Sequence, residues 1–344
     1  MPASSADSLQ GLPARPPRGV VVRAGVAEDE FACFDVMRRS MGYEMSWQQH
    51  SGIRTHLRAS EGAAFWVAEE AARFGLPKII GYARSIVRDN VWMLTEFFVL
   101  SGHHRKGIGR SLLAKCLSAV PSQGASHRMV LASQHPSADA LYMRVAGCYP
   151  RLPMLLLAGS LSRLVRPADL PVAIVEPAMS EAGAPEDVLT AYPLVMSENL
   201  ACELANMDRD IIGYSRLPEH LYWLSDCSPG QGVAMTYRRK SGELSGYAYL
   251  TPFASGPMVA IRPEYLPAIV LHVAGVLAAA ARPPLPAGIV SSQEHYLAVA
   301  GTNEVMLDWL LDSGWQIVFQ YLFMSTQPLG RPEHYVCHNP LYVL

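Results

Sequence analysis

The chain has 344 residues, half of them hydrophobic and 17% charged, with a formal net charge of −2. This length exceeds the size at which a single hydrophobic core keeps growing, so it predicts two domains. The near-neutral charge provides no global field for nucleic acid or an anionic membrane, which argues against both as partners. The longest apolar run, Leu266–Ala281, is shorter than the ~20 residues of a membrane span and contains Pro267 and His272, so it predicts a buried helix.

The cysteines show neither a CxxC pair nor a spacing typical of a metal site. They are Cys33, Cys116, Cys148, Cys202, Cys227 and Cys337. The N-terminus has no basic segment followed by an apolar core, as a signal peptide would. These observations predict a cytoplasmic protein with no metal ion.

The first half alternates between predicted strands and helices after a leader at residues 1–18 that is rich in Pro, Ser and Ala. In chain order the elements are a strand at Gly19–Arg23, a helix at Glu28–Met41, strands at Ala63–Glu69, Lys78–Val87 and Val91–Val99, a helix from Gly107 to Val120, a strand at Met129–Ser133, a helix at Ser137–Ala146 and a strand at Met154–Leu157. Residues 42–62 carry no recognisable signature. This order predicts an α/β domain at residues 19–160, with a mixed central sheet flanked by helices.

Residues 91–113 combine an apolar strand, a basic turn with glycines and the start of a helix. A helix N-terminus has several unpaired backbone N–H groups and about half a positive charge, which suits a phosphate. Gly107 and Gly109 let the backbone approach phosphate oxygens closely, and Arg105 and Lys106 add positive charge. The spacing fits neither GxGxxG nor GxxxxGKS/T. The loop therefore predicts a nucleotide-like ligand.

The same segment resembles motif A of the GNAT superfamily, the acyl-CoA-dependent N-acetyltransferases. In that motif a strand ending in an apolar-x-Val pattern is followed by Q/R-x-x-G-x-G/A. Phe97, Val99, Gly107 and Gly109 fall on this register, whereas His104 stands where the family has Gln or Arg.

A second segment, residues 135–151, resembles motif B of the same superfamily, a short helix that carries A-x-x-L-Y and ends at a glycine. Ala138, Leu141, Tyr142 and Gly147 match this pattern. The two motifs occur in the family's order with a predicted strand between them, so the resemblance rests on both.

The resemblance implies acetyl-CoA, or another acyl-CoA, as the co-substrate. It implies that the acyl arm lies beside the end of the strand and that the phosphates lie against the following loop. The implied binding residues are Phe97, Phe98, Val99, Leu100, His104, Arg105, Lys106, Gly107, Ile108, Gly109 and Arg110. The departure at His104 changes little, because such a loop binds mainly through main-chain N–H groups.

Two residues are candidates for proton transfer during acylation of an amine. Tyr142 matches the position from which GNAT enzymes commonly protonate the CoA sulfur, and the alternative is a tyrosine that packs beside Gly147. Glu96 is the best-placed carboxylate to accept the proton of the amine. Strand alternation puts Glu96 on the opposite face from Phe97 and Val99, so a β-bulge is needed to redirect it. The alternative is a solvated or salt-bridged strand glutamate.

Two further groups of titratable residues are candidates for a role in the site. His103 and His104 could join the phosphate cluster or serve as acid-base residues, as histidines often do, but they are expected on the solvent side of the loop. A cluster in the second half is a candidate substrate pocket, with surface charges as the alternative. Its members are Asp208, Asp210, Arg216, Glu219 and His220.

The second half resembles a degenerate copy of the first. After a predicted linker at residues 161–171, residues 172–344 again show strand and helix patterns. Residues 301–317 resemble motif B, with Trp309 at the tyrosine position and Gly314 at the terminal glycine.

The second copy of motif A has lost its glycines. Ile269 and Leu271 fall on the two glycine positions, and Pro267 and Ala268 fall on the Arg-Lys pair. A bulky side chain blocks the close approach of a phosphate, and a proline removes a donor. The second copy is therefore predicted not to bind CoA.

Together, these patterns predict a tandem GNAT enzyme that transfers an acetyl or other short acyl group from acyl-CoA. The predicted acceptor is an amine of a small molecule or peptide, which attacks directly in a ternary complex. Two alternatives stay open: an O- or S-acyltransferase or longer-chain acyltransferase, and a non-catalytic CoA-binding or scaffolding protein. A homodimer is the commonest oligomeric state and is left open.

Overall fold

The computed structural model describes residues 16–42, 46–71, 76–119, 125–167, 170–177, 188–227, 232–252, 254–280 and 294–338. Residues 1–15 of the predicted leader and the predicted helix end at Val120 lie outside these ranges. The chain divides into two compact units. Unit 1 comprises residues 1–150 and 324–327, and unit 2 comprises residues 151–323 and 328–344.

Unit 1 is a mixed sheet with helices, as predicted. Its strands are β1 (Val20–Ala24), β2 (Ala64–Glu70), β3 (Lys78–Arg88), β4 (Val91–Val99) and β5 (His127–Ala132), and its helices are α1 (Glu30–Met41), α2 (Trp47–Ala59), α3 (Ile108–Ser118) and α4 (Pro136–Leu141). A π-helical turn, Tyr142–Ala146, continues α4. Strands β1 to β4 are antiparallel neighbours in chain order, and β5 is parallel to β4.

Helix α2 lies in the segment that the sequence analysis left unassigned. Ile53 and Leu57, spaced by four residues, are buried on one face of this helix. The same face also buries Arg54, which is fully inaccessible to solvent. The apolar stripe is short because a charged side chain replaces part of it, so the hydrophobic pattern that marks a helix is weak here.

The sheet of unit 1 is completed by residues from much later in the chain. The backbone N–H of Thr326 donates to the carbonyl of Arg128 at 3.0 Å. The N–H of Arg128 donates in turn to Thr326 Oγ1 at 3.1 Å. The stretch Met324–Gln327 therefore belongs to unit 1, although it follows residues of unit 2 in sequence.

Unit 2 is also a mixed sheet with helices. Its strands are β6 (Tyr149–Gly159, in unit 2 from Arg151), β7 (Ala173–Val175), β8 (Val188–Pro193), β9 (Val233–Arg238), β10 (Leu244–Leu250), β11 (Ser255–Ala260), β12 (His295–Ala300), β13 (Gln316–Ser325, in unit 2 to Phe323) and β14 (Tyr335–Cys337). Its helices are α5 (Glu198–Ile211), α6 (Leu217–Asp226), α7 (Leu266–Ala279) and α8 (Glu304–Asp312). The strand order is β13-β6-β12-β14-β11-β10-β9-β8-β7.

The two units repeat a Gly-Tyr-Ala strand. In unit 1, Gly81 pairs with the end of β4, and a Cβ on it would lie 2.9 Å from the carbonyl oxygen of Phe98. In unit 2, Gly246 pairs with the end of β11, and a Cβ would lie 2.6 Å from the carbonyl oxygen of Val259. Each strand is followed along the chain by the strand that leads to α3 or to α7. The shared glycine therefore fixes the structural equivalence of β3 with β10 and of β4 with β11.

Helix α7 confirms the predicted buried helix. Its side chains fill the centre of the unit 2 core; those buried include Leu266, Ile269, Val270, Val273 and Leu277. Each such side chain contributes about 1.5–3 kcal/mol by leaving water. Among the described helices, none combines the length and the apolar character needed to cross a bilayer.

The division between the units falls ten residues before the predicted domain end at residue 160. Strand β6 pairs with β12 from Met154 to Gly159, which ties the predicted last strand of the first domain to unit 2. The predicted linker also packs on unit 2. The N–H of Val165 donates to Ser313 Oγ at 3.1 Å, and its carbonyl accepts from Trp309 Nε1 at 2.7 Å.

Candidate active site

Strands β4 and β5 separate partway along their length. Their parallel pairing runs from Val91 with His127 to Leu94 with Val130 and ends there. On its other edge β4 remains paired with β3 as far as Val99. The last residues of β4 therefore border a wedge between the two parallel strands.

A β-bulge lies where this wedge opens. Arg84 of β3 pairs with Glu96, whereas the next residue, Ser85, pairs with Leu94, which leaves Thr95 without a partner in the β3–β4 ladder. A bulge turns the following side chains and increases the local twist. The bulge lies before Glu96 and leaves Glu96 on the face of β4 opposite Phe97, so it does not redirect this side chain.

The N-terminus of α3 follows the end of β4. Gly107 is the N-cap residue and has a φ of 83°, a left-handed conformation that favours glycine. The N–H of Ser111 makes the first helical bond, to the carbonyl of Gly107 at 3.0 Å. The amides of residues 108–110 therefore have no acceptor within the helix, which leaves them for an anion.

Positive charge surrounds this helix end. Arg105 and Lys106 are exposed, and within the described residues neither forms an ion pair. Arg105 has a φ of 62°, so the loop turns sharply before the helix. Free guanidinium and ammonium groups beside unpaired amides form a site for phosphate oxygens.

The ring nitrogens of the two loop histidines lie against β2 and β4. His104 Nε2 lies 2.7 Å from the carbonyl oxygen of Val99, and this ring nitrogen donates. His103 Nε2 lies 3.1 Å from Glu70 Oε1 on β2. His104 is thus directed at the strand end, whereas the sequence analysis grouped it with the phosphate loop.

Phe97 and Tyr142 face each other across the wedge. Their ring centroids are 5.8 Å apart in an edge-to-face arrangement. A Cβ on Gly109 would lie 3.0 Å from Phe97 Cζ and 3.6 Å from Leu141 Cδ2, so glycine allows α3 to approach both. The motif A and motif B segments are therefore brought together, as the sequence analysis expected.

The hydroxyl of Tyr142 carries its proton throughout the neutral range. The side chain is buried, and burial, with smaller contributions from Asp139 and Cys148, raises the pKa of the phenol well above its usual value. Within the described part of the chain the hydroxyl makes no hydrogen bond. A protonated phenol of this kind can donate to an acceptor that enters the wedge.

Glu96 is part of a buried ionic cluster. Its Oε1 accepts a 2.8 Å hydrogen bond from Tyr82 and is also paired with Arg54, and its Oε2 lies 2.9 Å from Arg84 Nε. Arg84 Nη2 and Arg54 Nε both donate to Glu30 of α1, at distances of 2.8 to 3.1 Å. Two arginines and two glutamates thus balance each other inside unit 1. Glu96 is therefore a salt-bridged strand glutamate, which was the alternative to a catalytic base.

Arg54 and Arg84 were missed by the sequence analysis, although one signal was available. Arg84 interrupts the apolar strand IIGYARSIV, and an arginine within such a strand is almost never buried unless it is paired. It therefore required an acid on a neighbouring element. The partner acids lie on α1 and β4, and no local spacing identifies them.

The polar cluster predicted in the second half is assembled in part, and it is buried. Asp208 accepts hydrogen bonds from the backbone and side chain of Arg216, from His220 Nε2 at 3.1 Å and from Tyr247. Although burial alone raises its pKa, Arg216 and His220 hold the pKa of Asp208 well below its usual range. Asp210 is exposed and pairs with Arg331 instead. Asp208, Arg216 and His220 of the predicted cluster are thus paired with each other.

Among the residues of unit 2 that the structure describes, the wedge of unit 1 has no counterpart. Strand β14 lies between β11 and β12, with Val336 paired to Met258 on one side and to Val299 on the other. Gly256 permits this approach, because a Cβ there would lie 2.6 Å from the carbonyl oxygen of Cys337. The edge of β11 that corresponds to the open edge of β4 is therefore occupied by β14.

The start of α7 is equally closed, although the predicted register requires correction. Its N-cap is Tyr265, so the positions of Gly107 and Gly109 are occupied by Tyr265 and Pro267. Ile269 lies at the fourth position of α7 and Leu271 at the sixth, beyond the cap. The loop that precedes α7 is three residues shorter than the loop before α3, which explains the shift. The first turn of α7 is buried and has no accessible donors.

Comparison with known proteins identifies the family of one segment of the chain. Residues 27–147 match the model of the acetyltransferase (GNAT) family. A tandem GNAT protein from the clavulanic acid biosynthesis pathway is 15% identical and shares its fold, with a TM-score of 0.54 over 90% of this chain and 99% of that one. Residues 27–147 therefore carry a GNAT acetyltransferase domain, and the family chemistry is acyl transfer from acyl-CoA. The chain as a whole shares its fold with a tandem GNAT protein.

Other GNAT structures share the fold at similarly low identity. A candidate acetyltransferase of Pyrococcus horikoshii is 11% identical, with a TM-score of 0.65 over 92% of this chain and 93% of that chain. A GCN5-related N-acetyltransferase of Sphaerobacter thermophilus is 15% identical, with a TM-score of 0.55 over 91% and 98%. No curated protein matches the sequence. Within the described residues no cluster of His, Cys, Asp or Glu is assembled in a way that could hold a metal ion.

Proposed function

We propose that unit 1 transfers an acetyl or other short acyl group from acyl-CoA to an amine of a small molecule or peptide. The observation that carries this proposal is the wedge between β4 and β5, which has the α3 N-terminus at one end and Tyr142 opposite Phe97. An acyl-CoA needs a cradle for its phosphates, a strand edge for its acyl arm and a proton donor for its sulfur. Unit 1 offers all three.

The phosphates are held by the start of α3. The amides of residues 108–110 and the side chains of Arg105, Lys106 and Arg110 bind their oxygens, and Gly107 permits the left-handed turn that exposes the amides. The acyl arm lies along Phe97, Phe98, Val99 and Leu100, where β4 has parted from β5. His104 binds the end of this strand rather than the phosphates.

The reaction needs a neutral amine beside the thioester carbonyl and a proton for the departing sulfur. The wedge holds the carbonyl in place, and the acceptor amine attacks it to form the C–N bond. As the C–S bond breaks, the phenol of Tyr142 donates its proton to the sulfur, and the proton that the acylated nitrogen loses replaces it. The raised pKa of the phenol keeps Tyr142 protonated at neutral pH before this step.

Calorimetric titration of acetyl-CoA into the full chain tests the proposal. We expect one site per chain, because β14 fills the corresponding edge of unit 2 and Tyr265 caps α7. The same protein is then mixed with acetyl-CoA and a panel of primary amines, alcohols and thiols, and the release of free CoA is measured. Binding without turnover on any acceptor would favour a CoA-binding protein, and absence of binding would overturn the proposal.

A further inference from the structure

His50 of α2 lies next to the buried ionic cluster of unit 1. It precedes Arg54 by four residues, so the two side chains project from the same face of the helix. Arg54 pairs with Glu96 and donates to the hydroxyl of Tyr82 at 3.2 Å. Because Arg54 reaches Glu96 from this helix face, His50 lies on the same side of β4 as Glu96.

This face is opposite the one occupied by Tyr142. Glu96 and Phe98 project toward α1 and α2, since Glu96 contacts Arg54 and the ring of Phe98 lies 5.7 Å from that of Tyr82. Phe97 projects the other way, toward α3 and Tyr142. Tyr142 and His50 therefore lie on opposite sides of β4.

Aromatic side chains fix the position of His50. Its ring lies 5.7 Å from that of Phe34, which is 5.3 Å from Trp47, and Trp47 is 5.7 Å from Phe31. Phe34 is buried, whereas Phe31 is 64% exposed. His50 is only partly buried, so solvent reaches part of this residue. Glu96, by contrast, is 3% exposed and its oxygens are already bonded to Tyr82 and the two arginines.

We infer that His50, and not Glu96, accepts the proton of the acceptor amine in the proposed reaction. An alkylammonium ion loses two protons on becoming an amide. His50 takes one through its imidazole before the nitrogen attacks the carbonyl, and then releases it to solvent. The second proton replaces the one that Tyr142 gives to the sulfur as the C–S bond breaks. Burial lowers the pKa of His50 from its usual value, which keeps the ring neutral and able to accept a proton at pH 7.

The inference rests on the proposed function and is tested with two amines of different protonation. Phenethylamine is a cation at pH 7 and must lose a proton before attack, and its ring can pack against Trp47. Hydroxylamine is already neutral at pH 7 and needs a base less. Release of CoA from acetyl-CoA is followed with each amine between pH 5.5 and 9 for the wild-type chain, His50→Gln and the matched control His56→Gln on the same helix. Circular dichroism and acetyl-CoA titration check that each variant is folded and binds.

We expect kcat/KM for phenethylamine to fall by about 10²-fold or more in His50→Gln, with a much smaller fall for hydroxylamine. When kcat/KM is expressed per neutral amine, the acid limb of the pH profile should disappear in this variant and persist in His56→Gln. Equal losses with both amines and an unchanged profile would show that His50 is only structural. A wild-type chain that binds acetyl-CoA but consumes it with neither amine would also overturn the inference. Failure to bind acetyl-CoA at all would instead reject the proposed function.

Discussion

Tyr82 donates a hydrogen bond to Glu96, and this bond joins two neighbouring strands at the β-bulge where β4 leaves β5. Tyr247, at the equivalent position of unit 2, donates to Asp208 on α5. The tyrosine is therefore repeated, while its acid comes from a strand in one unit and from a helix in the other. In each unit, the acid is also paired with a buried arginine.

Replacement of Glu96 by Gln should destabilise unit 1 rather than merely slow a reaction. The change leaves the buried charges of Arg54 and Arg84 balanced only by Glu30, and breaking a buried ion pair typically costs about 3–5 kcal/mol. Urea denaturation should show a loss of this size, whereas the exposed Glu61→Gln should change stability by less than ~0.5 kcal/mol. Full stability in Glu96→Gln would mean that the cluster does not stabilise the fold.

Replacement of Gly107 by Val should abolish the binding of acetyl-CoA. A β-branched residue at a φ of 83° is strained by about 1–3 kcal/mol, so the turn reorganises and the amides of α3 lose their alignment. Gly102→Ala is the matched control, because this residue lies in the same loop and a Cβ there meets open space. Calorimetry should detect no binding for the first variant and unchanged affinity for the second. Unchanged affinity in Gly107→Val would refute the phosphate site.

Tyr142→Phe should lower kcat by about 10²-fold while the affinity for acetyl-CoA is retained. The ring still packs against Phe97, so only the proton donor is lost. Steady-state release of CoA with the best acceptor measures kcat, and calorimetry measures affinity. Tyr149→Phe provides the control, since Tyr149 is 54% exposed and lies outside the wedge. A normal kcat in Tyr142→Phe would reduce Tyr142 to a packing residue.

The stability of unit 2 should depend on pH through Asp208. Its pKa in the folded chain is lower than the unfolded value of about 3.9, so its ion pairs stabilise the fold above that pH. This contribution is lost as the pH falls from about 4 toward the folded pKa. The free energy of unfolding of the wild type should exceed that of Asp208→Asn by a constant amount from pH 7 to 5, and the gap should narrow below about pH 4.

Urea denaturation at each pH measures this gap, with the exposed Asp312→Asn as the control. The control should remain within ~0.5 kcal/mol of wild type throughout the range. A gap for Asp208→Asn that is still constant at pH 3 would contradict the assignment of Asp208 as the charged partner of Arg216.

The sequence predicted the parts of the site that are local in the chain. The strand before Gly107, the helix after it and the Leu-Tyr pair near Gly147 each carry a short pattern, and the structure brings these segments together. The buried cluster was beyond such patterns, because Glu30, Arg54 and Glu96 lie far apart in sequence. Only the folded sheet shows which acid meets which arginine.

Long-range strand pairing was the other part of the fold that could not be predicted from the sequence. The segment Met324–Gln327 completes the sheet of unit 1, and three residues near the end of the described chain form β14. A three-residue strand has no recognisable periodicity, and its partners on β11 and β12 lie far earlier in the sequence. The alignment of motif A on α7 was misplaced for a related reason. The loop before Tyr265 is shorter than the loop before Gly107, and an alignment without gaps cannot detect this difference.

Strand β14 also determines how unit 2 responds to the concentration of solutes. A segment attached to the same chain stays at a fixed local concentration that dilution does not change. In the proposed function, acyl-CoA meets an open edge on β4, whereas β14 already occupies the edge of β11. Stabilisation by ligand grows with the ratio of its concentration to Kd, so rising acyl-CoA should stabilise unit 1 and leave unit 2 unaffected. We therefore expect the folded state of unit 2 to be independent of the supply of acyl-CoA.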